Sequence, residues 1–290
     1  MLEYKISEYS VYGKCLFVKF GAVELISGLA LGPRILSLKL GGGQNVFYND
    51  VDFKTHQDGD VFKAVFGKDS FWRLYGGHRL WASPEIMPVT YYPDNDQIEY
   101  NINGNTLSLS QRTQRVTGMK LDISLKFGYE KNENSILVSH RIENTLDEQK
   151  KITAWALSVM APGGRAEIPA PEIKSGLLPN RAIAMWPYAS LDDPRLSLSG
   201  GNISVGFDKN KEPFKLGATN LCGLCRYYAP DKTIFEKASP FIADAEYPDF
   251  GCSCEIYTCP DFTELETLSP LYTLKKGESI IHNEIWTLSK

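Results

Sequence analysis

The sequence predicts an all-β chain folded as one large antiparallel β-sandwich. Three observations carry this. Apolar and polar residues alternate with a period of two, most plainly where Leu121, Ile123, Leu125, Phe127 and Tyr129 are separated by Asp122, Ser124, Lys126 and Gly128. That is the pattern of a half-buried strand. Turn signals recur between such runs, as at Asn103-Gly104-Asn105 and Ser199-Gly200-Gly201-Asn202, and they are spaced as in sandwiches rather than in βαβ units. No long segment has the helical period, and only Phe53 to Lys68 and Lys232 to Ala238 could hold a turn or two of helix.

In chain order, strands are expected over Leu16 to Phe20, Val23 to Ile26, Arg34 to Leu40 after a Gly32-Pro33 turn, and Asn45 to Tyr48 after the Gly41-Gly42-Gly43 turn. They continue over Leu121 to Tyr129, Ser135 to Ile142 and Ile152 to Met160. The last, Ile280 to Leu288, sets His282, Glu284 and Trp286 on one face. The Pro- and Gly-rich stretch from Ala161 to Asp193 reads as a long crossing loop or a rim over a site. No composition shift marks a linker, so residues 1–290 are expected to form a single domain. A chain of 290 residues with 43% hydrophobic and 12% aromatic content has ample material for one core.

Net charge is −4 and the basic residues are scattered, which points away from nucleic acid and from a polybasic membrane patch. No run approaches the ~18 apolar residues of a membrane span, and the N-terminus lacks a signal-peptide core. A cytoplasmic location is therefore expected. Of the six cysteines, Cys222 and Cys225 form C-x-x-C and Cys252 and Cys254 form C-x-C. The second pair is one residue short of a zinc spacing, so free thiols and no metal are expected. No P-loop, dinucleotide fingerprint, nucleophile elbow or H-E-x-x-H is present, and no cofactor is implied.

Two constellations carry chemistry. In Thr263-Glu264-Leu265-Glu266-Thr267, a strand would point both carboxylates to one face. They either guard a sheet edge or stand in a cleft. In Leu74-Tyr75-Gly76-Gly77-His78-Arg79-Leu80-Trp81, paired glycines, a histidine, an arginine and a tryptophan are the residue types of a carbohydrate site. Trp stacks on the apolar face of a sugar, Arg donates to hydroxyls, and His moves protons near neutral pH. The competing reading makes Trp81 core and His78 a structural histidine. His140, on a strand, and His56, on a solvated loop, are not site candidates.

In order along the chain, these pieces resemble the galactose mutarotase-like superfamily, which includes aldose 1-epimerases. Gly32-Pro33-Arg34-Ile35-Leu36-Ser37-Leu38 is similar to its Gly-x-x-Ile-x-Ser-Leu strand, and Leu74-Tyr75-Gly76-Gly77 with Trp81 to its Leu-His-Gly-Gly followed by Trp. Thr153-Ala154-Trp155-Ala156-Leu157 falls at the family's Thr-Asn-His-x-Tyr-Phe. Leu265-Glu266-Thr267 with Pro270 resembles the Leu-Glu-Thr-Gln run that holds the catalytic Glu. Leu274-Lys275-Lys276-Gly277-Glu278 resembles the closing Leu-x-Pro-Gly-Glu turn.

The resemblance implies a galactose mutarotase-like supersandwich and a sugar or sugar derivative as ligand. It also implies Glu266 as general base, the epimerase pairing of a base at O1 with an acid at O5. The departures are specific. Trp155 or Ala156 stands where the acid His belongs, and Tyr75 replaces the His of Leu-His-Gly-Gly. His78 could supply a displaced acid. Arg34, Arg73, Tyr75, Arg79, Trp81, Trp155 and Glu264 are the expected substrate-binding residues. Glu255, with Pro260-Asp261 following at the epimerase spacing, is the alternative base. The expected function is thus an aldose 1-epimerase-like isomerase. The alternatives are a sugar-binding domain without catalysis and a structural sandwich in which Glu264 and Glu266 guard an edge.

Overall fold

A computed structural model describes residues 2–171 and 176–290. Two antiparallel sheets face each other. The larger runs, from its N-terminal edge, through Glu3–Glu8, Lys14–Phe20, Val23–Gly28, Arg34–Leu40, Gly77–Ser83, Lys150–Met160, Thr263–Leu268, Cys254–Thr258, Phe214–Ala218 and Ile183–Met185. The second sheet is centred on Ser279–Ser289, flanked by Ser135–Asn144 and Ile234–Ala238. This is the predicted β-sandwich. One hydrophobic cluster drawn from both sheets fills the space between them, with Leu38, Ile123, Val138, Leu216, Ile256, Leu265 and Trp286 among its members.

Most strands lie where the alternation put them, and Arg34–Leu40 matches residue for residue. Asn45 to Tyr48 is not a strand, although Phe47 bridges to Met160. The helix Asp60–Phe66 falls inside Phe53 to Lys68, whereas Ile234–Ala238 is a strand rather than a helical turn. The stretch 161–193 is not one loop: Arg165–Ile168 belongs to the second sheet and Ile183–Met185 closes the larger one. Residues 172–175 of that stretch lie outside the described residues.

The segment Leu74–Gly77 is drawn tightly against the larger sheet. Arg34, fully buried, donates from Nη1 to the carbonyls of Leu74 (2.8 Å) and Gly76 (2.9 Å) and from Nη2 to Asp94 (2.5 Å). Gly77 has φ +74°, and a Cβ there would lie 2.1 Å from the Ile35 carbonyl oxygen. Both facts require glycine. Gly77→Ala should therefore lower stability by at least about 1–3 kcal/mol, read as a fall in the denaturant midpoint. An unchanged midpoint would mean that this approach is looser than described.

Between the sheets lies a dry polar network. Lys237, at 0% exposure, donates to Glu284 Oε1 (2.8 Å) and to the carbonyls of Leu265 (3.2 Å) and Ala156 (3.3 Å). Glu284 also accepts from Trp286 Nε1 (2.6 Å) and Thr267 Oγ1. His140 Nδ1 must donate to the His282 carbonyl (3.0 Å), since a carbonyl only accepts. His140 Nε2 then accepts from His78 Nε2 (2.7 Å), and His78 Nδ1 accepts from Ser158 Oγ (2.9 Å). Every partner is satisfied with neutral imidazoles. His78, His140 and Glu284 are metal-ligand types in close reach of one another. Their lone pairs are nevertheless spent inside the network, with the Lys237 ammonium on the carboxylate.

Candidate functional site

The period of two along the strands sorts the predicted residues into two sets. On Gly77–Ser83, His78 and Leu80 face the second sheet, while Arg79 and Trp81 face out. Strand pairing extends these choices into rows. Arg79, Leu157, Glu266, Glu255 and Gly217 form one outward row. Gly77, Val159, Glu264, Tyr257 and Lys215 form a second, and Trp81, Trp155 and Leu268 a third. The row His78, Ser158, Leu265, Ile256 and Leu216 points inward. His78 and Glu266 therefore lie on opposite faces of the sheet, and the structure does not bring His78 to the base as a displaced acid.

From the outward rows Arg79, Trp81, Trp155, Leu157, Lys215, Tyr257 and Glu264 line an open cleft of about 630 Å³, walled also by Trp72, Tyr91, Trp186, Tyr188 and Phe262, whereas Glu255 and Glu266 are fully buried and do not line it. Charged residues in its lining are Arg79, Glu85, Glu212, Lys215 and Glu264. Arg79 sits over the Trp81 ring at 4.3 Å and donates from Nη2 to Glu264 Oε1 at 3.1 Å. Burial pushes the Glu264 carboxyl up; the Arg79 guanidinium pulls it back and Glu266 adds to the rise. A second hollow, of about 490 Å³, lies over the first four strands. Its Glu3, Lys19, Glu24 and Lys39 alternate in sign along one row, as cross-strand neighbours on a solvated face do.

At the floor of the larger cleft, Lys215 Nζ lies 2.7 Å from Glu255 Oε2 and 3.0 Å from Glu266 Oε2. Glu266 Oε2 also accepts from Trp155 Nε1 at 2.6 Å. The Lys215 ammonium stands 4.8 Å from the Trp155 ring and 4.7 Å from the Trp186 ring. Glu255 and Glu266 are directly paired across neighbouring strands, with exposures of 1% and 0%. The two candidate bases are thus members of one cluster. Burial alone would lower the Lys215 pKa, but Glu266 and then Glu255 outweigh it and hold the ammonium above its usual range.

Of the predicted binding residues, the cleft gathers Arg79, Trp81, Trp155 and Glu264. Arg34 is instead the buried clasp on Leu74–Gly77. Arg73 stacks on Phe53 (4.0 Å) and Phe71 (4.5 Å). Tyr75 is 5% exposed and donates its hydroxyl to Asn95. None of these three lines the cleft. The cation on Glu266 is Lys215. The edge-guarding reading is also overturned. Thr263–Leu268 lies inside the sheet between Lys150–Met160 and Cys254–Thr258, so its carboxylates guard no edge.

Lys215, Tyr91, Trp186, Tyr188 and Glu212 were not singled out from sequence. Lys215 left one signal: a lone lysine in the otherwise apolar run Phe214-Lys215-Leu216-Gly217-Ala218.

No protein-family model matches the chain, and no curated protein does. Among solved structures it is similar to a candidate aldose 1-epimerase from Klebsiella pneumoniae, with a TM-score of 0.58 at 11% identity over 99% of this chain and 83% of that one. It is similar to a galactose mutarotase-like protein from Lactobacillus casei, with a TM-score of 0.53 at 10% identity over 95% and 100% of the two chains. A third is the Slr1438 protein of Synechocystis, with a TM-score of 0.54 at 14% identity over 92% of each. The chain has the galactose mutarotase-like fold, in a divergent form.

Proposed function

We propose that this chain binds a sugar in the cleft between Trp81, Trp155 and Tyr257 and interconverts its anomers, as an aldose 1-epimerase-type isomerase with Glu266 as base. The observation that carries the reading is the grip on Glu266: Trp155 Nε1 at 2.6 Å and Lys215 Nζ at 3.0 Å, under an aromatic cleft of about 630 Å³. A buried pair of carboxylates on one ammonium is costly to keep, and functional sites are where such groups concentrate. The aromatic walls suit the apolar faces of a pyranose, and the Arg79–Glu264 pair offers donors and acceptors to its hydroxyls. The whole of 1–290 is read as one carbohydrate-active domain acting in the cytoplasm. The core shared by both sheets supports the first part, and six free cysteines, five of them buried, support the second.

The test is anomer exchange followed by NMR across a panel of free aldoses and sugar acids. Acceleration of at least one is expected. A second reading, a sugar-binding domain without turnover, is favoured by one observation: among the described residues no histidine lines the cleft. It would be preferred if sugars bind and none exchanges faster.

Either form of the reading predicts that Trp81→Ala weakens sugar affinity by about 1–2 kcal/mol through lost stacking and apolar contact. Calorimetry on the folded variant measures this. An unchanged affinity would place the Trp81 ring outside the binding surface.

A further inference from the structure

We propose that Glu255 and Glu266 form a carboxyl pair that holds one proton between them over Lys215, so that the acid needed for ring opening stands beside the base rather than across the cleft. Its catalytic meaning rests on the function proposed above; its existence does not.

The first argument is charge balance. Glu255, Glu266 and Lys215 are 1%, 0% and 6% exposed. With both carboxylates ionised, the cluster carries one uncompensated negative charge on two fully buried side chains, which is costly. The other cation of the cleft floor, Arg79, is committed to Glu264. One shared proton removes the excess. The remaining charged or titratable neighbours do not supply a cation. Asp249 and the Cys252 thiol stand on the Glu255 side, Glu264 lies two residues from Glu266 on its strand, and Tyr188 is at the rim.

The second argument is hydrogen bonding. Glu266 Oε2 receives two N–H donors, Trp155 and Lys215. Glu255 Oε2 has Lys215 alone at 2.7 Å. Burial pushes the Glu255 carboxyl well up; Lys215 pulls it down and Glu266 pushes it further up. The single donor on its oxygen makes Glu255 the member of the pair that carries the proton, with Glu266 beside it as the acceptor.

Adjacency suits the chemistry. O1 and O5 of a pyranose are both bonded to C1, so their acid and base need only be neighbours, and directly paired residues on adjacent strands have Cβ atoms about 4.5–5.5 Å apart. On opening, Glu266 accepts the O1 proton, O5 receives the proton held by Glu255, the C1–O5 bond breaks and C1=O1 forms. Closure on the other face of C1 returns both protons. Lys215 and Trp155 cover the pair from the cleft side, so a bound sugar has to take the place of the Lys215 ammonium above it.

Infrared difference spectra at neutral pH without sugar test the pair itself. The wild type should show a protonated-carboxyl band that disappears in both Glu255→Gln and Glu266→Gln, because either variant leaves one carboxylate matched to one ammonium. Lys215→Arg should keep the band and Lys215→Met should enlarge it; near-UV circular dichroism checks that each variant is folded. A wild type without the band, or a band unchanged in both glutamine variants, overturns the proposal. If the band behaves as expected but no sugar is turned over, the pair stands and the isomerase reading falls. Exchange without the band removes the pair and leaves Glu266.

Discussion

Glu266→Gln should slow anomer exchange about 10²- to 10⁴-fold, the range contributed by a positioned acid or base, with sugar affinity little changed. The amide keeps the shape of the side chain, and its oxygen can still accept from Trp155 Nε1 and Lys215 Nζ, which converge on one oxygen in the wild type. What it loses is the ability to take a proton. Only the barrier should move, so the rate should fall without a matching rise in the dissociation constant. NMR exchange rates and calorimetric titrations on the same preparation give both quantities. An unchanged rate would remove Glu266 as base and transfer attention to Glu264, which lines the cleft directly. A parallel loss of affinity and rate would mean that Glu266 orders the floor and does not move a proton.

The carboxylates were legible because their signal is local. Glu264 and Glu266 are two residues apart in an apolar run, and period two alone places them on one face. The same rule, applied within the Gly77–Ser83 strand, separates His78 from Arg79; grouping them by proximity in sequence missed this. Lys215 was not legible in the same way. Its carboxylate partners are 40 and 51 residues further along the chain, and only the strand order brings them together. Ile234–Ala238 was not legible as a strand for a related reason: its inward residues are Phe235 and Lys237, and a lysine at an inward position breaks the apolar alternation. Both buried lysines are explained by acids contributed from other strands, which a reading of local pattern does not see.

Lys237→Met should cost about 3–5 kcal/mol at neutral pH, the penalty for leaving one member of a buried ion pair without its partner. Methionine replaces the apolar stem, so the loss is that of the ammonium. Glu284 would keep Trp286 Nε1 and Thr267 Oγ1 as donors but no countercharge. The pH dependence separates this from a packing defect. Burial by itself would raise the Glu284 pKa, but the Lys237 ammonium holds it well below the carboxylate range. Its contribution is therefore present above about pH 4.5 and lost as pH falls below that. Burial lowers His78 and His140 and pushes His282 down to about 3. From about pH 6.5 downward the unfolded chain binds protons that the folded chain does not, and each net proton costs about 1.4 kcal/mol per pH unit. Glu255 and Glu264, both raised, oppose this by taking up protons in the folded state, but three histidines outnumber two carboxyls, so the wild type should weaken on mild acidification. In the variant, Lys237 no longer depresses the histidines and Glu284 can accept a proton or a protonated imidazole. The gap between wild type and variant should then narrow between about pH 7.5 and 5.5, roughly one unit either side of the histidine value. Urea midpoints at the two pH values measure it. A gap below about 1 kcal/mol at neutral pH, within the reach of an ordinary substitution, or one that widens on acidification, would remove the Lys237–Glu284 pair as the element that makes this polar core tolerable.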